Sequence, residues 1–218
     1  MKEKQKMKEK VKEFIVKNLK WIILFICLIG FLALAEDVFN KEIMNGDIIG
    51  YKLISTFLIS DFATPIAKFI TNFGGAIFLA ILTIILFILI KNKKIGVSIF
   101  SNLAIITALN QLLKNILQRP RPTEYRIIEE TGYSFHSGHS MISMAFYGYI
   151  IYLIYKYVKN KYVKWISMAL LSLLICSIGI SRIYLGVHYT SDVLGGFLIS
   201  ISYLVIYISA VNKFLIEK

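Results

Sequence analysis

Apolar stretches of about one membrane thickness alternate along the chain with short charged clusters. They lie near Trp21–Val38, Phe73–Ile90, Ile95–Leu113, Ser140–Tyr157, Val163–Ile180 and Val193–Val211. With their flanks, each reaches the ~17–25 helical residues that a hydrocarbon core of about 30 Å requires. The runs are continuous rather than alternating, which excludes a closed barrel. Helices satisfy every backbone polar group internally and are what remains. The pattern predicts an all-α, polytopic bundle of six transmembrane helices over 21–213, within a single membrane-embedded domain spanning 1–218. A basic helix over 1–20 precedes the bundle. Tyr51–Asn72 is apolar but broken by Asp61, Pro65 and Lys68, and predicts an interfacial or re-entrant helix between spans one and two. Asn45–Asp47 and Gln118–Gly138 read as the substantial loops.

Composition sharpens this. The chain is 57% hydrophobic and 17% charged, against about 45–50% and about 25% in a soluble domain. Disorder, a secreted disulfide scaffold and an ordinary soluble enzyme are excluded. Cys27 and Cys176 both lie inside apolar runs and read as separate hydrophobes rather than a bridge. Six crossings place 17 of the 25 basic residues on one face, in the first twenty residues, the Lys91–Lys94 turn, Lys156–Lys164 and the tail. That face is cytoplasmic by the positive-inside rule, which puts both termini inside and the loops after spans one, three and five outside. The protein is expected to be a multi-pass protein of the cell membrane. Its net charge of +12 then belongs to cytoplasmic flanks. It calls for no nucleic acid, although the Lys-rich start suits anionic lipid headgroups. Ala33-Leu34-Ala35 resembles a signal-peptidase site, but the long, Glu-containing segment before it favours a retained span.

All three histidines and all four arginines fall on the predicted outer side. Arginine confined to one face suggests bidentate recognition of an oxyanion. Lys114 and Arg121 are separated by two helical turns, but Pro120 and Pro122 end the helix near Leu117 and make Gln118–Pro122 a stiff exit. Arg119 and Arg126 are left unassigned. Ser137-Gly138-His139 opens the fourth span, where backbone N–H groups form a ready anion site; a capping serine beside a loop histidine is the plainer alternative. Ser181-Arg182, then His188, then Asp192 is the third block. His188 and Asp192 are i and i+4, so the carboxylate can fix the ring tautomer. Thr190 or Ser191 is the candidate cap of the sixth helix.

These blocks resemble the type 2 phosphatidic acid phosphatase superfamily of membrane lipid phosphatases. Lys, six residues, Arg-Pro matches Lys114 through Arg121-Pro122. Ser-Gly-His matches Ser137, Gly138 and His139, and Ser-Arg, five residues, His, three residues, Asp matches Ser181, Arg182, His188 and Asp192. His136 stands where the family usually has Pro. The resemblance implies a substrate-binding set of Lys114, Arg121, Ser137, Gly138 and Arg182, with catalysis by His139, His188 and Asp192. The residues alone leave nucleophile and acid interchangeable. The resemblance makes His188 the nucleophile of a phosphohistidine and His139 the proton donor. The expected reaction is metal-independent and cofactor-free removal of phosphate or pyrophosphate from a membrane lipid at the outer face. Undecaprenyl pyrophosphate, phosphatidylglycerophosphate and phosphatidic acid are the candidates, the first weakly favoured. A lipid phosphotransferase is the nearest alternative. A zinc site of His136, His139, His188 and Asp192 ranks lower, because the three cations repel a dication. A transporter is the other class, with Asn102, Asn110 and Gln111 as its polar markers; these read better as interhelical hydrogen bonds. The tyrosines of the fourth span, Tyr147, Tyr149, Tyr152 and Tyr155, read as packing rather than an acyl-chain groove.

Overall fold

The computed structural model describes residues 2–41, 44–123 and 125–216, with side chains from Glu13 to Leu215 within those ranges. The lysines before Glu13, expected to face lipid headgroups, lie outside the described side chains, as do the last residues of the tail. The described residues form α1 (Lys2–Phe39), α2 (Asn45–Phe57), α3 (Ala63–Asn72), α4 (Ala76–Leu89), α5 (Lys93–Leu117), α6 (Gly138–Tyr157), α7 (Lys161–Tyr184) and α8 (Thr190–Val211), with a π-helical turn over Asn212–Ile216. The protein is thus an all-α membrane protein.

α1 is continuous for 38 residues and merges the expected basic helix with the first span. Glu13–Phe39 of α1, all of α5 and α7, and Thr190–Leu215 are long and apolar enough to cross a membrane. α3 and α4 meet at 51° and make a fifth crossing if the bent pair is one span. The expected interfacial helix is therefore two helices. Asn45–Asp47, read as a loop, is the first turn of α2. Pro65 does not break α3, because it stands third in the helix, where no intrahelical N–H partner is lost.

α6 packs against α5, α7 and α8. Its position explains its polarity: Ser140, Ser143, Tyr147 and Tyr149 are all buried against protein rather than lipid. Tyr147 donates to the Phe73 carbonyl at 2.7 Å, Tyr149 to Ser98 Oγ at 2.7 Å, and Tyr152 to Asn212 Oδ1 at 2.8 Å. Tyr155 is exposed, with Lys164 over its ring. The tyrosines of α6 thus mainly tie helices together. Of the three expected interhelical amides, only Asn102 behaves so, donating to the Ala145 carbonyl at 3.3 Å. Gln111 bonds Asn115 along its own helix, and Asn110 Oδ1 has no partner among the described residues. Cys27 is buried, Cys176 is exposed, and both are free. α5 and α7 end, and α6 and α8 begin, at the same end of the bundle, joined there by residues 118–137 and 185–189.

Candidate active site

The exit of α5 is shaped by its prolines. Gln118 takes a left-handed conformation (φ 42°) and its N–H caps the helix on the Lys114 carbonyl. The chain then runs extended through Pro120 and Pro122, and its two arginines diverge. Arg121 is 8% exposed. Its Nε and Nη2 donate to the Gly132 and Thr131 carbonyls at 3.0 and 2.9 Å, and Nη1 to the Val187 carbonyl and His188 Nε2 at 3.0 and 3.1 Å. Lys114 Nζ donates to the Tyr133 carbonyl at 2.9 Å. Arg126 bonds the Pro122 carbonyl and pairs loosely with exposed Glu129, as a solvated loop charge does.

The second segment enters α6 from the buried stretch Ser134–Ser137. Ser137 caps the helix: its Oγ accepts from Ser140 N–H at 3.4 Å and Ser140 Oγ at 3.0 Å, while its own N–H donates to the Asp192 carbonyl at 3.0 Å. Two glycines permit this crowding. A Cβ on Gly138 would stand 3.1 Å from Asn110 Oδ1, and one on Gly196 would stand 3.0 Å from the Ser137 carbonyl. His139 faces the charges of Arg182, Glu130, His188 and Lys114. His136 is fully buried beside the rings of Phe31 and Phe135, with neither ring nitrogen partnered among the described residues. Burial, helped by the Lys114 charge, lowers its pKa to about 3, so it sits there as a neutral wedge.

The third segment brings Arg182, 1% exposed, whose Nη1 donates to Thr71 Oγ1 at 2.9 Å and Nη2 to Glu130 Oε2 at 2.6 Å. Burial pulls the Glu130 carboxyl upward, but Arg182, with His139 and Arg121, holds it net below the usual carboxylate range. Gly186 makes the turn at φ +69°, and a Cβ there would lie 2.1 Å from the Tyr125 carbonyl oxygen. His188 precedes α8 rather than lying on it, so its pairing with Asp192, Nδ1 to Oδ2 at 3.3 Å, reaches across the helix start. Neither Thr190 nor Ser191 caps α8. Asp192 Oδ2 reaches back to the Tyr189 N–H at 2.8 Å, and also accepts from Ser134 Oγ. Burial lowers the His188 pKa to about 4, with Asp192 pulling it up and Arg182 and Arg121 pushing it down.

All eight expected site residues thus belong to three segments meeting at one end of the bundle. Thr71, Ser134, Glu130, Arg119 and Asp47 also belong there. Arg119 donates to Asp192 Oδ1 at 2.8 Å and to Asp47 Oδ2 at 2.7 Å. The arginines of one exit segment hold the His188–Asp192 pair from both ends. Among the described residues no group of three or more His, Cys, Asp or Glu side chains is arranged to hold a metal ion. The arrangement is instead suited to an oxyanion: cationic donors around two histidines, at the N-terminal ends of α6 and α8, where the helix dipoles favour negative charge.

Residues 94–216, more than half of the chain, match the family model of the PAP2 superfamily, and the chain belongs to that family. It is 39% identical over 93 residues to phosphatidylglycerophosphatase B of Bacillus subtilis (strain 168), a stretch covering 41% of this chain and 44% of that protein. The match thus spans less than half of that relative's length. It is 26% identical over 167 residues to an undecaprenyl-diphosphatase of Sulfolobus acidocaldarius, covering 74% and 73% of the two chains. The fold is similar to the crystal structure of a transmembrane PAP2 type phosphatidylglycerolphosphate phosphatase from Bacillus subtilis. The TM-score is 0.75 at 26% identity, over 88% of this chain and 96% of that one. Aquifex aeolicus LpxE shares the fold with a TM-score of 0.60 at 24% identity, over 73% and 92% of the two chains.

Proposed function

We propose that the protein removes a phosphate or pyrophosphate group from a membrane lipid by hydrolysis, without a metal, through a phosphohistidine on His188. The seat of the His188 ring carries this reading. Arg121 Nη1, a permanent donor, stands 3.1 Å from Nε2, while Asp192, an acceptor, stands 3.3 Å from Nδ1. The proton therefore belongs on Nδ1 and the lone pair on Nε2. Nε2 attacks phosphorus, forming the N–P bond as the bond from phosphorus to the lipid oxygen breaks. His139 gives its proton to that leaving oxygen. It then takes a proton from the water that attacks the phosphohistidine, freeing phosphate and restoring Nε2. Asp192 stabilises the charge that develops on the ring.

Lys114, Arg121 and Arg182 neutralise the phosphoryl oxygens, with Ser137 Oγ and the Gly138 N–H completing the cradle. Arg182 Nε is buried and without a partner among the described residues, which leaves one guanidinium donor unspent. The family and the two curated relatives make phosphatidylglycerophosphate and undecaprenyl pyrophosphate the first substrates to test, with phosphatidic acid third. The bent α3–α4 pair and α6 bring the crossings to six. The Lys-rich turns then face the cytoplasm and the site faces outward, within reach of a lipid headgroup. An outward site suits recycling of a polyprenyl carrier, which favours the pyrophosphate.

The test is phosphate release from these lipids by purified protein with EDTA present. Turnover is expected to survive the chelator and to vanish in H188A, H139A and R182A while the proteins stay folded in detergent. Full activity in H188A removes the phosphohistidine.

A further inference from the structure

Asp192 has no exposure and both of its oxygens are committed. Oδ2 serves His188, Ser134 and the Tyr189 N–H; Oδ1 is held by Arg119 Nη1 at 2.8 Å. Arg119 Nη2 meanwhile reaches α2, at Asp47 Oδ2, 2.7 Å away, and its guanidinium lies 4.0 Å over the Tyr189 ring. Asp47 is buried too. It accepts from the Ser191 N–H at 2.7 Å and from Ser191 Oγ at 2.9 Å, so it also grips the first turn of α8. One turn along α2, a Cβ on Gly50 would stand 2.2 Å from Thr190 Oγ1, so the α2 backbone rests against the same turn.

We propose that Arg119 and Asp47 are positioning residues, a clasp from α2 through the α5 exit that fixes the carboxylate of Asp192 and, through it, the ring of His188. The inference rests on the reading of His188 and Asp192 as the nucleophilic pair. A carboxylate gripped at one oxygen by a planar guanidinium cannot rotate, so its other oxygen stays aimed at Nδ1. Arg119 makes none of the contacts assigned to the phosphoryl group. Its removal is therefore expected to lower kcat rather than raise KM.

The clasp is also electrostatic. His188 faces Asp192 from α8, Arg121 from the exit segment and Arg182 from α7, and it interacts with His136 and His139 from the second segment. Arg119 draws on the same carboxylate. Without it, Asp192 holds the His188 proton more firmly, and the ring needs a higher pH to become nucleophilic.

The experiment uses the full chain in detergent with the best lipid of the substrate panel. R119Q is expected to lose about a hundredfold in kcat, as misplacement of a catalytic group by about 1 Å does. KM is expected to hold, and the acid limb of the kcat/KM profile to move to higher pH. R119K, which keeps the charge but not the fork, is expected to keep the limb and recover part of kcat. D47N is expected to lose less than R119Q, and the double variant R119Q/D47N no more than R119Q, because one unit is broken once. Wild-type kcat and acid limb in R119Q overturn the proposal. So does a fall in kcat matched by the loss of folded protein, with an unmoved limb. Should R119Q not fold, wild-type kcat in both R119K and D47N overturns it. An active H188A overturns the underlying reading instead, so the two failures are distinct.

Discussion

At a pH where a surface histidine is half protonated, His188 is neutral. Its environment brings its pKa down to about 4, with burial the largest cause and Arg182 and Arg121 adding to it against Asp192. In the proposed mechanism only the unprotonated Nε2 attacks phosphorus, so kcat/KM is expected to fall as pH drops through that value. A pH profile on the best substrate is expected to place the acid limb nearer 4 than the ~6.5 of an ordinary imidazole. D192N should lose about 10³–10⁴-fold in kcat, since an amide can offer an N–H to Nδ1 and so select the wrong tautomer. His139, His188 and Asp192 were legible because each lies in a block with fixed local spacing. Arg119 was not: its carboxylate partners, Asp47 and Asp192, are 72 and 73 positions away. Nothing local distinguishes such an arginine from Arg126, which remains a loop charge. The bond from the Tyr189 N–H back to Asp192 at the start of α8 was equally hidden, because Thr190 and Ser191 offered the usual capping chemistry two and one residues earlier.

The elements place these groups through close approaches that only small residues allow. Gly186 and Gly132 share a positive φ, +69° and +74°, but a Cβ would strike the Tyr125 carbonyl at Gly186 and meet nothing within 4 Å at Gly132. Alanine costs each site about 1–2 kcal/mol for the left-handed backbone. G186A must additionally push away residues 125–128, where Ile127 N–H bonds the Leu185 carbonyl at 3.0 Å. Thermal unfolding in detergent should therefore rank G186A clearly below G132A, and only G186A should also lose turnover, because His188 hangs from that turn. Equal losses would mean that the contact with Tyr125 contributes nothing. The exit of α5 was readable because its chemistry is local: Pro120 and Pro122 stop the helix at Leu117, whereas the helix ends capped by Asn92 and Asn160 came only with the fold. Helix ends were not readable where docking decides. Asn45-Gly46-Asp47 is turn chemistry, but α2 winds through it because Asp47 finds Arg119 and Ser191.

At the scale of the molecule, α6 brackets the candidate site and is too polar to pass as a span by composition. A helix facing lipid must be apolar, but one surrounded by helices need not be, because its hydroxyls find partners across the interface. α6 meets that condition on α5, α7 and α8. If it crosses, the residues before and after it lie on opposite sides, and lysine placement says which. Glu129, with its side chain 91% exposed, precedes α6, and exposed Lys159 follows it in a Lys-rich turn. In a background with Cys27 and Cys176 replaced by serine, E129C is expected to react with an impermeant maleimide on intact cells, and K159C only after permeabilisation. The exchanged pattern would turn the protein over and put the candidate site in the cytoplasm. Labelling of both from one side would remove α6 as a crossing, and with it the proposed outward-facing cradle, since Lys114, His139 and His188 meet only where α5 ends and α6 and α8 begin.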